Sequence, residues 1–424
     1  MPFVTETGYV LPGGDEPLKN ARFLHKGNRQ RMKAISASAE LAQYPAIAVD
    51  NGMTFEGWRP FANTLVDASD FNSSVWSSTR MTVNSDGQTL DEGTDVATTR
   101  FMEQTMEFTA EEWVLSATVQ RQTLEAIRVQ GRADGVTYSA VYDLRDGSVI
   151  TMSAGVSADV VAVGDDEFLL RLYFTPAADV AGTFRIFGYD LVADSITYTG
   201  SNRTVRVLRS TANPSVATIS LEAFGAVEAD MIAVGGHNIG TAAGRFTFRH
   251  DSNADDTYTD IDTFTPTDDS PIMFLFVGIT SARWQIQIDR AVLPELSIIR
   301  VGQALQMPLP IHQGHRPFET NRITQMRGNL SEGGEWLGRS IIRRYLDGSF
   351  RFPNLTPTFV RNNLDGQNGL IQAMEVEPFF VAWRPDTYDE AYYAWTAGAV
   401  NGPIHDQSPN LMSFAFKCQA YGYE

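Results

Sequence analysis

The stretch RWQIQID, residues 283–289, alternates apolar and polar side chains. Trp284, Ile286 and Ile288 fall on one side of an extended chain, and Gln285, Gln287 and Asp289 on the other. That is the period of a strand with one buried face. MSFAFKC (412–418) repeats it, with Met412, Phe414, Phe416 and Cys418 sharing a face. The only cysteine therefore reads as a small buried apolar group rather than a reactive thiol. FLLRLYF (168–174) and FRIFGY (184–189) read as further strands buried on at least one side. Asp-Gly pairs at 86–87, 134–135, 146–147, 347–348 and 365–366, and Asn-Gly pairs at 51–52, 368–369 and 401–402, separate such runs. These dipeptides tolerate the positive φ that tight hairpins demand. Helical periodicity is scarce, and its best candidate is TTRFMEQTMEF (98–108). The expected fold is all-β: two β-sandwich domains with few short helices.

A length of 424 residues suits two to three domains. Composition divides the chain into residues 1–66, 67–200 and 201–424. The first part holds a glycine- and proline-rich arm (Pro12, Gly13, Gly14, Pro17) followed by TFEGWRP. The second has dense strand patterns, and the third starts a new strand series rich in arginine and proline. Trp58-Arg59-Pro60 recurs as Trp383-Arg384-Pro385, which would suit two matching strand ends in one domain.

Acidic residues number 51 against 33 basic, for a net charge of −18, and only Lys19, Lys26, Lys33 and Lys417 are lysines. A nucleic-acid binder needs a basic face to displace counterions, and an anionic membrane attracts the same charge, so neither partner is expected. The apolar run at 272–279 is far shorter than the ~20 residues of a spanning helix. MPFVTETGYV lacks the basic and apolar regions of a secretory signal, so cytoplasmic synthesis is expected. One cysteine excludes disulfides and thiolate clusters within the chain.

Motifs for chemistry are sparse. GGHNIGTAAG (235–244) is glycine-dense, but the strand-like RFTFRH follows it. A phosphate cradle needs a helix N-terminus there, so a strand-to-strand loop is the better reading. DSNADDTYTDID (251–262) sets Asp251, Asn253, Asp255 and Asp262 at calcium-loop spacing, yet Asp256 stands where the sharp turn needs glycine. An acidic hairpin loop is expected, with Ca2+ as the alternative; no other cofactor is implied. Glu375 and Glu377 in MEVEPFF would share one strand face, and Glu332 and Glu335 flank two glycines. Glycosidases need acids opposed across a sugar, which neighbours on one strand face do not provide. His312 and His315 lack a carboxylate partner nearby, and no G-x-S-x-G elbow occurs. No catalytic residue is assigned. Among the aromatics, Trp76, Trp113, Tyr138, Tyr142 and Tyr173 sit among polar neighbours. Their rings suit stacking on sugars, and a core position is the competing assignment for each.

Two resemblances follow from these residues. YSAVYDLRDGSVI (138–150), VSADVVAVGDDEFLLRLYFTP (156–176) and TFRIFGYD (183–190) resemble the carbohydrate-binding-like jelly-roll modules inserted in bacteriophage tail proteins. Trp76 and TLDEGTDVATTRF (89–101) match the opening part, while DEFLLR (166–171) replaces that family's Gly-Trp-Tyr-Arg. Second, TFEGWRP (54–60), ATISLEAFGAVEADMIAVGGHNIGTAAG (217–244), DDSPIMFLF (268–276), SEGGEWLGRS (331–340) and PFFVAWRPDTY (378–388) resemble minor structural proteins of tailed phages with a discoidin-like β-sandwich. That resemblance places His237-Asn238-Ile239-Gly240 in a loop after a core strand.

Together they imply a siphophage tail-tip or baseplate protein: a discoidin-like scaffold (1–66 and 201–424) with an inserted jelly-roll (67–200). The five aromatics would be its glycan-facing candidates. Other tail proteins, further copies of the chain in a trimer or hexamer, and host-surface polysaccharide would be its partners. The virion would be its location. A purely structural tail protein and a glycan depolymerase using Glu375 and Glu377 are the rival readings.

Overall fold

The computed structural model describes residues 3–10, 18–37, 45–50, 58–59, 65, 68–95, 98–164, 166–289, 292–311, 318, 321–330, 336–405 and 410–421. The alternation read in the sequence becomes an all-β architecture with two short α-helical pieces, Pro357–Phe359 and Leu370–Val376. Two six-stranded antiparallel sheets form a sandwich in the middle of the chain. The first, here the outer sheet, runs in the order Ser148–Met152, Val136–Asp143, Ala126–Ala133, Val180–Tyr189, Phe101–Phe108, Ser77–Thr79. The second, the inner sheet, runs Ser157–Gly164, Glu167–Phe174, Trp113–Arg121, Thr204–Pro214, Thr89–Asp91, Thr82–Val83. Alternate residues of facing strands, among them Met102, Met106, Ile127, Val129, Leu170, Leu172, Phe184 and Ile186, fill one core between them. The pleat sends every second side chain inward, and that core is the result.

The segment expected to be most helical is a strand. Phe101–Phe108 pairs with Val180–Tyr189 on one side and Ser77–Thr79 on the other, with Met102, Gln104, Met106 and Phe108 pointing inward. Pairing on both edges and a buried face outweigh a helical spacing that its threonines support poorly. The expected boundary at Gly200 also moves. Thr204–Pro214 lies inside the inner sheet, paired to Trp113–Arg121 and Thr89–Asp91, so the insert runs to Pro214. The polar residues at 199–203 form an internal loop gathered by the buried Glu92. Its carboxylate accepts from Tyr198 Oη at 2.6 Å, Ser201 N at 2.9 Å and Arg203 Nε at 2.8 Å.

Residues beyond 214, with strands from the N-terminal segment, form two sheet systems, one of seven strands and one of eight. The first is built on two long strands, Val216–His237 and Ile272–Asp289. Register shifts between Glu222 and Val227 and between Ala229 and Met231 interrupt their pairing midway. Such bulges bend a strand, so each half of the pair faces its own partners. One half meets Arg245–Asp251 and Met32–Ala37, the other Leu296–Gly302 and the parallel strand Phe3–Thr5. Ile219, Ile232, Phe246, Phe274, Trp284 and Ile286 lie in their common core. The second system has eight strands, including Arg22–Leu24, Phe379–Ala382, Tyr392–Thr396 and Met412–Tyr421, with Leu370, Ile371 and Met374 of the helix sharing its core.

A third apolar layer joins the two systems. Met231, Ala233, Met273, Leu275 and Ile298 cluster with Leu24, Phe380, Ala382 and Tyr393. Ile232, Val234, Ile272 and Phe274, one residue out of phase, belong to the other core. Strands buried on both faces read as continuous apolar runs, as DMIAV and IMFLF do. The Trp-Arg-Pro echo does not mark matched strand ends in one core. Trp58 bridges Leu296 in the first system, while Trp383 packs at the border of the core of the second. The glycine- and proline-rich part of the arm and most of TFEGWRP lie outside the described residues.

Neighbouring positions on one strand separate the contributions. Phe276 is fully buried and Val277 is 48% exposed. Phe276→Ala should cost about 3–5 kcal/mol and Val277→Ala no more than about 0.5 kcal/mol in urea unfolding.

Candidate functional site

The inserted sandwich commits one sheet to the scaffold. On Glu167–Phe174, Leu170, Leu172 and Phe174 point into the sandwich core, so Leu169, Arg171 and Tyr173 point the other way. Arg171 is held by Asp159 at 2.6 Å and donates through Nη1 to the carbonyl of Ala243, in the loop after His237. Ser116 and Thr211 on neighbouring strands are buried and hydrogen-bonded to each other at 2.5 Å. A cavity of about 630 Å³ lies along this junction, lined by Ser116, Thr211, Asn238 and Glu295 together with Leu169 and Leu293.

The outward face of the outer sheet is the part of the insert turned away from both the core and this junction. Its side chains are the out-of-phase partners of the core residues: Phe101, Glu103 and Thr105; Arg128, Gln130 and Arg132; Thr183, Arg185 and Phe187. Phe101 and Phe187 lie side by side with ring centroids 5.1 Å apart. Arg185 sits over Phe101 at 5.0 Å and Arg128 over Phe187 at 5.7 Å. Arg185 is paired with Glu103 at 2.7 Å. Arg128 has no carboxylate or hydrogen-bond partner among the described residues. Burial pulls its pKa below the usual guanidinium value. Thr183 Oγ1 is likewise buried without a partner among them. At one end Leu191 and Ile196 shelter the face by packing on Ala126, Val141 and Tyr189. A half-buried guanidinium with no acid beside it, on an aromatic floor, suits an acceptor-rich or anionic ligand.

The five aromatics singled out in the sequence are not on that face. Trp76, Trp113, Tyr138 and Tyr142 lie in the sandwich core. Trp76 packs on Phe71 at 4.6 Å, and Trp113 meets Phe108 edge-on while donating to Thr109 O at 3.1 Å. Tyr138 stacks on Phe174 at 4.4 Å. Tyr142 crosses the core to donate to Arg171 O at 2.7 Å, and burial pushes its phenol pKa well up. Tyr173 is buried on the junction side of the inner sheet, beneath Arg171. All five rings are buried, four of them because the aromatic-rich phase of the insert faces inward and Tyr173 because it faces the junction. The residues missed are the opposite phase of the same strands. Arg128 and Arg185, two positions from apolar residues of like parity, were the available signal.

The acidic loop is a hairpin whose backbone amides close on Asp251. Asp251 is buried, accepts from the amides of Asn253, Asp255 and Asp256, and faces Arg283 at 3.5 Å. Asp262 lies on the strand Thr259–Phe264 and accepts from Thr7 N at 2.6 Å. The four calcium candidates therefore do not converge, and among the described residues no cluster of three His, Cys, Asp or Glu suits a metal. Glu375 and Glu377 are not on a strand: Glu375 is exposed on the helix and Glu377 ends it. Lys26 at 3.0 Å and Arg29 at 3.4 Å hold Glu377, which leaves no opposed acid pair there. Glu332, Glu335, His312 and His315 lie outside the described residues.

GGHNIGTAAG joins two strands, and its histidine and asparagine tie the loop down. Asn238 accepts from Glu295 N at 2.7 Å and donates to Leu293 O at 3.0 Å. The buried His237 ring bonds Ser270 O at 2.8 Å, and Gly240 passes so close to the Asp268 backbone that a Cβ would collide.

No family profile and no curated protein matches the chain. Among solved structures, the CBM32-1 and CBM32-2 domains of Clostridium perfringens ZmpB share 8% identity over 66% of this chain and 94% of theirs, with a TM-score of 0.18. The same domains in complex with GalNAc share 8% over 70% and 100%, also at 0.18. Allantoicase shares 9% over 57% and 94%, again at 0.18. Likeness at that level fixes neither family nor ligand.

Burial depresses both His237 and His25 to a pKa of about 4. Between that value and the ordinary 6.5 the unfolded chain binds more protons, so stability must fall as pH drops from 6.5 to 4. Each histidine contributes on the order of 3 kcal/mol to that loss. In denaturant titrations at a series of pH values, His237→Gln should flatten this part of the profile.

Proposed function

We propose that this chain is a structural component of a phage tail tip or baseplate, and that the outward face of its inserted sandwich contributes to recognition of a host-surface glycan. The observation that carries the glycan reading is Arg128, a half-buried cation over Phe187 without an acid partner among the described residues. A carboxylate- or phosphate-bearing sugar supplies the missing acceptors, and the hydroxyls of a saccharide suit the Arg185–Glu103 pair on the neighbouring strands. One sheet of the insert is held by the scaffold and the opposite one is presented outward, which is how a module carried on a larger particle must be mounted. The tail assignment rests on the two sequence resemblances. In this reading the protein does not turn over its ligand. Glu377, the acid a depolymerase would need, is neutralised by Lys26 and Arg29. Single contacts with sugars are weak, and several copies in one tail would multiply them. The partners are then other tail proteins and copies of this chain, in the virion.

Two measurements test the reading. On an array of neutral and anionic bacterial oligosaccharides, the full chain should retain anionic members. Arg128→Ala should weaken that binding about tenfold or more, corresponding to ~1.4 kcal/mol, while Trp113→Phe should leave it unchanged. Binding unaffected by Arg128→Ala, or no retention of any glycan, would leave the purely structural alternative. Immunogold labelling of virions should place the protein in the tail, and its absence there would remove the viral assignment.

A further inference from the structure

The strands Arg322–Leu330 and Trp336–Leu355 form an antiparallel pair, with Arg322 opposite Leu346 and Leu330 opposite Trp336. Among the described residues, the second strand is also paired to Met412–Tyr421 from Tyr345 onward. The part before Tyr345 thus leaves the eight-stranded sheet as a two-stranded ribbon, reaching roughly 20 Å beyond it. Among its described side chains, both faces carry exposed residues. Arg322, Gln325, Met326 and Arg327 on one strand and every residue from Arg339 to Arg344 on the other are exposed. Met326, Ile341 and Ile342 are 48%, 51% and 57% exposed. A two-stranded hairpin is at best marginal in water, and bare apolar side chains on both faces add a further cost unless something covers them.

The ribbon also inverts the charge of the molecule. Between Asn321 and Leu346 there are five arginines, Arg322, Arg327, Arg339, Arg343 and Arg344, and two acidic residues, Glu332 and Glu335. The whole chain has 33 basic and 51 acidic residues. The rest of the chain is accordingly richer still in acid than the whole, so a second copy offers the ribbon an excess of carboxylates.

We propose that this ribbon is an assembly arm that lies on the acidic surface of a second copy of the chain. Its arginines meet carboxylates of that copy, and Met326, Ile341 and Ile342 are covered in the contact. The inference goes beyond glycan recognition and does not depend on it.

Sedimentation velocity of the full chain tests the arm. Self-association should be present at about 50 mM salt and weaken at least about tenfold at about 500 mM, because exposed pairs are screened at the higher strength. Arg343→Glu with Arg344→Glu should weaken it by a similar factor, whereas the corresponding lysine pair should retain it to within about threefold. All these positions are exposed, so melting temperatures should stay unchanged and separate lost assembly from lost folding. The native cysteine, Cys418, is buried. Ser340→Cys therefore offers a single accessible thiol for a benzophenone cross-linker, which should yield covalent dimers linked to peptides outside the ribbon. A chain that stays monomeric at every salt concentration would overturn the proposal. So would a glutamate variant that assembles like the parent. Equally, arginine-dependent retention of duplex DNA or of phosphatidylglycerol vesicles by a monomeric chain would reassign the arm to those partners.

Discussion

The scaffold depends on strands that bury both faces at once. In Val216–His237 the residues from Ala217 to Ala223 alternate between buried and half-buried, and those from Ala229 through Gly235 are all buried. The change falls where the strand bends. Before the bend one face meets a core and the other meets water. After it, Ile232 and Val234 serve one core while Met231 and Ala233 serve the layer against the eight-stranded sheet. A polar side chain in the second half needs a partner, as Asp230 has in Ala304 N at 2.7 Å, since burying one without a partner costs a few kcal/mol. The same constraint shapes Ile272–Asp289, whose IMFLF opening is buried on both sides and whose RWQIQID ending alternates.

This dual use explains what the sequence allowed to be read. Alternation in RWQIQID and MSFAFKC identified strands with one wet face, and Trp284, Ile286, Phe414, Phe416 and Cys418 are buried as that pattern requires. The number of sheets beyond residue 214 was not legible, because a run such as DMIAV shows that two faces are buried without showing what covers them. The boundary at Gly200 failed for a related reason. The loop residues there are polar because they surround Glu92, a buried carboxylate whose partners come from 198–203. Turn composition marks loops, and it does not distinguish those inside a domain from those between domains.

The candidate face was hidden by phase rather than by composition. Period two says that a strand has two sides, and aromatic content then tempts one to assign the aromatic side to a ligand. In the insert the aromatics gather inward, with Trp113, Tyr138, Phe174 and Phe184 within one core. The outward phase carries arginines, threonines and Glu103 over just two phenylalanines, Phe101 and Phe187. Packing energetics favour that division, because a large ring gains most where it is fully desolvated. Whichever phase holds the larger rings is the better estimate of the core, and function is then sought in its complement.

Charge in this molecule is used for placement more than for stability. Arg300 is buried and reaches Asp50 at 3.2 Å and the carbonyls of Val49 and Ile299, while Arg29 spans Asp50 and Glu377. These contacts join residues near 29 and 50 to a strand at 300 and a helix end at 377. Removing two charges from water costs several kcal/mol per ion, and their attraction offsets it only in good geometry. A cluster of this kind is therefore a poor way to gain net stability and an effective way to penalise wrong pairings. Placing the early segments against late strands needs such discrimination, because the partners lie 250 to 348 residues apart in the chain and loop closure alone favours no particular register. Glu377, one of the two acids of the rival depolymerase reading, is part of this cluster, and its ion pairs with Lys26 and Arg29 hold the helix end to the N-terminal segment.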